Sequence, residues 1–272
     1  MRSSRLTAAT LLAAALGATA AHAGVYLESV DKALDGSKSP TTSKMWFDGG
    51  RMRTENTENV LLFKNQTLYT IDSKSKSYRV IDKATAEQMG AQVAAAKKKM
   101  EERMAAMSPE QRKRMEDMMA KLGNGAGAGM LPGARQKQRL LRNTGRTETV
   151  AGIKCTIWEA LEDGQKDQEL CAAPAGSVPG GDEVIKTFRE IAAMLTAVTD
   201  KLGAKGSQQP WRDMETINGV PLLTRDFSDG KATSEMRLTV VRKESVPGSS
   251  FEVPAGFTEK KLEFPRASGA AD

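Results

Sequence analysis

The chain has 272 residues, with 40 Lys and Arg against 34 Asp and Glu, and a formal net charge of +6. No tract of clustered basic residues is interleaved with aromatic residues, which argues against a nucleic-acid-binding protein. The one histidine, His22, falls in a predicted leader. The rest of the chain has no imidazole, which excludes Ser-His-Asp and Cys-His catalysis and His-ligated metal sites.

The first residues have the pattern of a secretory signal peptide. Arg2 and Arg5 precede an apolar run over 11–21, and Ala21-His22-Ala23 supplies the small-residue cleavage site. We therefore expect a signal peptide over 1–23 and a bacterial periplasmic or secreted protein. Gly24 follows the predicted cut, where a lipid-anchored bacterial lipoprotein has Cys. No later stretch reaches about 18 consecutive apolar residues, so no spanning helix is predicted.

A β-meander is predicted over residues 44–82, after a first strand over 24–32. Five short apolar or aromatic segments are separated by turn sequences such as Asp48-Gly49-Gly50 and Asn65-Gln66, which is typical of antiparallel strands. The alternation assigns one set of apolar side chains to a single covered face, leaving the other face wetted. That set consists of Met45, Phe47, Met52, Leu61, Phe63, Tyr69 and Ile71.

A helical insertion is predicted over 84–122. The segment is rich in Ala, Glu, Lys and Met, which are good helix formers. Ser108, Pro109 and Gln111 form a capping-box pattern that restarts the helix, so a helical hairpin or a bent helix is expected. Methionines recur at helical spacing on one face of each half.

A Gly-rich linker over 123–133 follows the insertion, and a second set of strands begins near Leu140. The linker has neither a preceding strand nor a Gly-Lys-Ser/Thr ending, so it is no phosphate-binding loop. A helix is predicted over 182–203, then a loop, a strand over 214–217 and closing hairpins at Asn218-Gly219 and Asp229-Gly230.

Three stretches resemble the LolA/LolB lipoprotein-carrier superfamily and related uncharacterised periplasmic families. They are residues 45–81 (DGGRMR, then LYTID), 150–171 (VAGIKCT) and 219–257 (NGVPL, then SFEVPAGF). The resemblance implies an α+β fold: a curved antiparallel sheet forming an unclosed half-barrel, with helices on its concave face. We expect one such domain over 24–264, with the insertion over 84–122 and the linker over 123–133 as additions that the carriers do not share, and a disordered tail over 265–272. In the carriers, the concave face shelters the acyl chains of a lipoprotein.

Cys155 and Cys171 are the only cysteines, and the chain is expected in an oxidising compartment. They lie nearly symmetrically about the predicted turn at Asp163-Gly164, so we expect a structural disulfide between adjacent strands. The spacing is not Cys-x-x-Cys, which argues against a redox-active pair.

These patterns predict a non-enzymatic protein that needs no cofactor and holds an apolar ligand, a lipid or acylated protein, between sheet and helices. Two alternatives remain: an envelope protein whose insertion docks on a partner, and Cu(I) binding by methionine thioethers. Met at helical spacing is more often a pliable apolar surface, so no metal ligand is assigned. The predicted ligand or lid face consists of Met100, Met104, Met107, Met115, Met118, Met119, Leu122, Phe188, Ile191 and Leu195.

Overall fold

A computed structural model describes residues 23–57, 59–112, 114, 138–202 and 209–261, and twelve strands within them form one sheet. In chain order the strands are β1 (Ala23–Ala33), β2 (Thr41–Asp48), β3 (Arg51–Glu55), β4 (Asn59–Lys64), β5 (Thr67–Asp72), β6 (Ser77–Ile81), β7 (Arg139–Val150), β8 (Ile153–Glu162), β9 (Gln165–Pro174), β10 (Gly219–Ser228), β11 (Lys231–Ser245) and β12 (Thr258–Glu259).

The sheet is antiparallel except at one edge. Its spatial order is β12-β6-β5-β4-β3-β2-β1-β11-β10-β9-β8-β7, and only the β12–β6 pair is parallel. The two outer strands, β12 and β7, do not pair with each other, so the sheet is not closed. Together with the helices, this confirms the predicted α+β fold built on an unclosed half-barrel.

Besides the helical residues 109–112 and two short 3₁₀ helices, three helices accompany the sheet in the described residues: α1 (Lys83–Ala106), α2 (Gly181–Leu202) and α3 (Gln209–Ile217). Asp82 caps α1 by accepting a hydrogen bond from the backbone N–H of Thr85 at 2.7 Å. α2 contacts β2 and β10, whereas α1 packs mainly on α2 and meets the sheet chiefly at β6. Among the described helices, none combines the length and the apolar content needed to cross a membrane.

The sheet carries apolar clusters on both faces of β2–β6, which corrects the predicted single covered face. Phe47, Met52 and Phe63 are directly opposite one another and belong to the main core, which also includes residues of α2. Tyr69 and Ile71 pair with Leu62 and Val60, on the opposite face. That face is covered by the C-terminal segment 246–257, which buries Phe251 and Val246 against it.

The predicted strand over 214–217 is wrong, because these residues lie in α3. Asp213 and Met214 are both buried in this helix, the first in an ion pair with Arg139 and the second in the main core. Tertiary packing thus selects the helix in a segment whose composition suits either structure. Asn218 has φ of 48° at the end of α3, so it ends the helix in the left-handed conformation and forms no hairpin turn.

Other predicted elements agree closely with the structure. α1 and α2 begin and end within about one residue of the predicted helices. Asp229 and Gly230 both have positive φ and join β10 to β11, as their sequence predicts. The linker over 123–133, the tail over 265–272 and residues 1–22 of the leader lie outside the described residues.

Candidate functional site

The N-terminal end of α2 is fixed tightly to the sheet. A Cβ atom placed on Gly180, whose φ is +70°, would lie 2.1 Å from a methyl carbon of Val25 in β1. The backbone N–H of Gly50, in the β2–β3 turn, donates to Oε1 of Glu183 at 2.6 Å. Only a glycine at position 180 allows so close an approach, and this contact sets where α2 crosses the sheet.

Phe188 lies between the sheet and the surface. Its ring meets Phe47 of β2 edge-on, with centroids 5.4 Å apart at an interplanar angle of 69°. Its other side lines a narrow crevice between α2 and α3, which we call the α2–α3 seam. The seam is lined by Ile185, Phe188, Arg189, Ala192, Met214 and Glu215.

An exposed ion pair closes the seam. Arg189 Nε of α2 lies 3.4 Å from Glu215 Oε1 of α3, and both side chains are more than half exposed. Such a pair contributes about 0–1 kcal/mol to stability, so it resists separation of the helices only weakly. The cavity beneath it measures about 10 Å³, which is room for one water-sized sphere. The seam itself therefore has no room for a ligand in this state.

The predicted ligand or lid residues divide into three groups. Ile191 is buried, and Phe188 and Leu195 pack half-buried against the core. Met104 and Met107 are half-buried near the end of α1, and Met100 lies within α1. Met115, Met118, Met119 and Leu122 lie outside the described residues. The structure thus places Phe188, Ile191 and Leu195 together on α2, and the methionine face of the insertion stays a prediction.

The predicted capping box at the restart of the insertion is present. Gln111 N–H donates to Ser108 Oγ at 3.3 Å, and Ser108 N–H donates to Gln111 Oε1 at 3.1 Å. Arg112 Nε also donates to the carbonyl of Met104 at 3.2 Å. These bonds fix the bend between α1 and the helical residues that follow Pro109.

Cys155 and Cys171 form a disulfide between β8 and β9, with Cα atoms 5.3 Å apart. Both are almost fully buried. Cys171 is directly opposite Ile157, so the two cysteines are diagonal neighbours across the strand pair. In the described residues, the structure brings together no group of three or more His, Cys, Asp or Glu side chains that could hold a metal ion.

A row of charged residues, which the sequence did not reveal, crosses six neighbouring strands. We call it the charged ladder; in strand order from β1 to β7 its directly opposite residues are Lys32, Glu235, Arg225, Glu169, Glu159 and Arg142. Neighbouring members lie 10 or more residues apart in the chain, and the nearest pairs, 225/235 and 159/169, face each other across hairpins. The strand registers would therefore have been needed to detect the ladder.

The ladder carboxylates are held ionised by their basic neighbours. Burial raises the pKa of Glu235, but hydrogen bonds from Arg225, Arg237 and Lys32 outweigh it and lower the pKa to about 2. Burial likewise opposes ionisation of Glu169, and hydrogen bonds from Lys166, Arg146 and Arg225 bring its pKa below the usual value. The carboxylates of the charged ladder therefore stay ionised throughout the neutral pH range.

Comparisons with solved structures give matches of low identity. An uncharacterized conserved protein from Thermus thermophilus aligns with 6% identity and a TM-score of 0.44, covering 89% of this chain and 91% of that one. The Pseudomonas aeruginosa MucA/MucB complex aligns with 10% identity and a TM-score of 0.37, covering 86% of this chain and 56% of that one. A LolA superfamily protein, NE2245 from Nitrosomonas europaea, aligns with 8% identity and a TM-score of 0.26, covering 85% and 90%.

No curated protein matches the chain. A family match covers residues 83–257, from the start of α1 to the segment that packs on the outer face of β2–β6. It includes α1, α2, α3 and β7–β11 and accounts for more than half of the chain. The chain belongs to the family described as a domain of unknown function, DUF4412.

Proposed function

We propose that this protein is a non-enzymatic binding module that shelters an apolar ligand of the acyl-chain class between its sheet and α2. The described state is the closed one, in which α2 occupies the ligand's place. The ligand enters through the α2–α3 seam, where Phe188 separates the surface from Phe47 of the sheet. An exported, periplasmic location is part of the proposal and is supported by the leader pattern and the disulfide.

The seam is the observation that carries this proposal. Its apolar wall consists of Ile185, Phe188, Ala192 and Met214. The exposed Arg189–Glu215 pair spans it at the surface. Behind Phe188 lies the continuous apolar core of the sheet face. When an acyl chain enters here, the apolar side chains of the sheet replace their contacts with α2 by equivalent contacts with the acyl chain. Opening therefore loses little buried apolar area.

Binding of a fluorescent fatty acid to the purified protein tests this mechanism. If the ligand must displace α2, then Phe188→Ala, which removes the Phe47–Phe188 contact, raises the open fraction and tightens apparent binding about tenfold. Phe257→Ala is the matched control, because Phe257 is also half-buried but packs on the opposite face. The proposal is overturned if neither the wild type nor Phe188→Ala binds, or if Phe257→Ala has the same effect.

Docking of a partner on the helical insertion is a second candidate function. Most described side chains of α1 are exposed, and the helix rests on α2 with little contact to the sheet. Such an outer helix is available to a partner without disturbing the core. Deleting 84–122 should abolish capture of an envelope partner while the Cys155–Cys171 disulfide and the β-sheet circular dichroism are kept. Capture that survives the deletion rules this candidate out.

A further inference from the structure

The charged ladder lies on the face of the sheet opposite α3. Gln168 of β9 accepts a hydrogen bond from Arg139, which also pairs with Asp213 of α3. Glu169 is the next residue along β9, and successive side chains in a strand point to opposite faces. The ladder and the α2–α3 seam are therefore separate features.

The ladder is part of a larger ion-pair network with more cations than carboxylates. Within the described residues, the network joins six basic side chains and four carboxylates, so it keeps a formal charge of +2. The basic members are Lys32, Arg142, Arg146, Lys166, Arg225 and Arg237; the acidic members are Glu148, Glu159, Glu169 and Glu235.

At the β7 end, three cations of the network meet two carboxylates, and part of the excess positive charge faces solvent there. The side chains of Arg142 and Arg146 are 60% and 55% exposed, whereas those of Glu159 and Glu169 are 13% and 6% exposed. Lys166 joins the buried Glu169 and the partly buried Glu159, lying 2.8 Å from the first and 3.3 Å from the second. The cations thus form the outer layer and the carboxylates the floor.

A bulge in β7 shapes this surface into a cleft. The register with β8 shifts between Asn143 and Thr147, and Gly145 within the bulge has φ of +71°. The resulting cleft is broad and shallow, with about 520 Å³ of space largely open to solvent; it is lined by Arg142, Asn143, Thr144, Arg146, Glu159 and Lys166. Asn143 Oδ1 accepts from the Gly145 N–H at 2.8 Å, which leaves its amide NH₂ as a further donor for a ligand.

We propose that this cleft, the β7 basic cleft, binds an anion of the phosphate class through Arg142, Arg146 and Lys166. A guanidinium has five N–H donors, and the exposed arginines have donors to spare beyond their contacts with Glu159 and Glu169. The bound oxyanion takes donors that Glu159 now shares, so the carboxylate and the ligand compete. The anion is a free phosphate or the headgroup of an anionic phospholipid.

Titration with inorganic phosphate, at constant ionic strength set by chloride, tests the site. Arg142→Gln with Arg146→Gln should weaken binding at least about tenfold, because two charge-assisted contacts are lost. Glu159→Gln should strengthen it severalfold, because the competing carboxylate is removed. Arg242→Gln is the matched control and should change binding less than twofold, since Arg242 is also half-exposed and paired with one glutamate, Glu244. Circular dichroism checks that each variant is folded.

Flotation with vesicles separates the two sources of the anion. Vesicles of phosphatidylglycerol and phosphatidylcholine are compared with vesicles of phosphatidylcholine alone, using the same variants. Phosphate binding without flotation assigns the site to a free anion, and flotation that requires Arg142 and Arg146 assigns it to a headgroup. The proposal fails if neither probe binds, or if Arg242→Gln reduces binding as much as the double variant does.

Discussion

Glu148 of β7 lies 2.8 Å from Arg237 of β11, although β8, β9 and β10 separate these two strands in the sheet. Adjacent strands are about 4.8 Å apart, so a flat sheet would hold β7 and β11 roughly 20 Å from each other. The five strands must therefore curl strongly, and the ion pairs across the curl connect its two sides. Glu148 also reaches Arg225 of β10 at 3.6 Å.

The first prediction concerns the centre of this network. Glu235 is 6% exposed and pairs with Arg225, Arg237 and Lys32. Glu235→Gln should lower the free energy of unfolding at pH 7 by about 3 kcal/mol, because the partly buried Arg225 and Arg237 then keep only their pairs with Glu148 and Glu169. Urea unfolding measures the change. Glu244→Gln, in an exposed pair with Arg242, should change stability by less than about 0.5 kcal/mol.

The same carboxylate predicts a pH dependence. The pKa of Glu235 is about 2 in the folded protein, below its value in the unfolded chain. The contribution of Glu235 to the free energy of unfolding is therefore fully present above its unfolded pKa, near 4.5. This contribution is lost as pH falls toward 2. Wild-type stability should decline over this window, and Glu235→Gln should show a smaller decline. If the free energy of unfolding falls equally steeply in the two proteins between pH 4.5 and 2, Glu235 is not the group that causes the decline.

A third prediction separates steric contact from backbone conformation at glycine. Gly180→Ala should destabilise the protein by about 3 kcal/mol or more, because the new methyl overlaps Val25 and φ is unfavourable. Gly152→Ala has a similar φ of +77° with no atom within 4 Å of the added Cβ. It should therefore lose only about 1–2 kcal/mol. Thermal unfolding of both variants gives the difference, and similar losses would show that the Val25 contact is unimportant.

Sequence patterns predicted the local structure well and the packing less well. All five meander strands, α1, α2 and the Ser108 capping box follow from signals within a few residues of one another. The positions of Tyr69 and Ile71 depended on how β5 registers with β4, and α3 depended on the burial of Asp213 by Arg139, 74 residues away. The charged ladder has the same origin, because it becomes visible only when six strands are aligned. Candidate binding surfaces formed between distant segments cannot be identified from spacing alone.

Arg139 provides a test of such a distant contact. Its side chain is 8% exposed and makes hydrogen bonds to both carboxylate oxygens of Asp213, which is 4% exposed. Arg139→Gln leaves this carboxylate buried with weakened compensation, so the free energy of unfolding should fall by about 3–5 kcal/mol. Arg189→Gln removes the exposed pair with Glu215 and should change the free energy of unfolding by less than about 1 kcal/mol. Chemical denaturation compares the two; equal effects would mean that Arg139 does not hold α3 in place.

The last prediction concerns the disulfide, which the sequence anticipated and the structure places in the apolar core. Cys155 and Cys171 are 16 residues apart in the chain, and closing a loop of that length stabilises the folded state by roughly 3 kcal/mol in the chain-entropy model. Replacing both with Ala should therefore lower the free energy of unfolding by about that amount plus the loss of buried sulfur contacts. Urea unfolding of this variant should give the same midpoint with and without reductant, whereas the wild type should shift only when reduced. If reductant leaves the wild-type midpoint unchanged, and the variant has that same midpoint, then the disulfide does not contribute to stability.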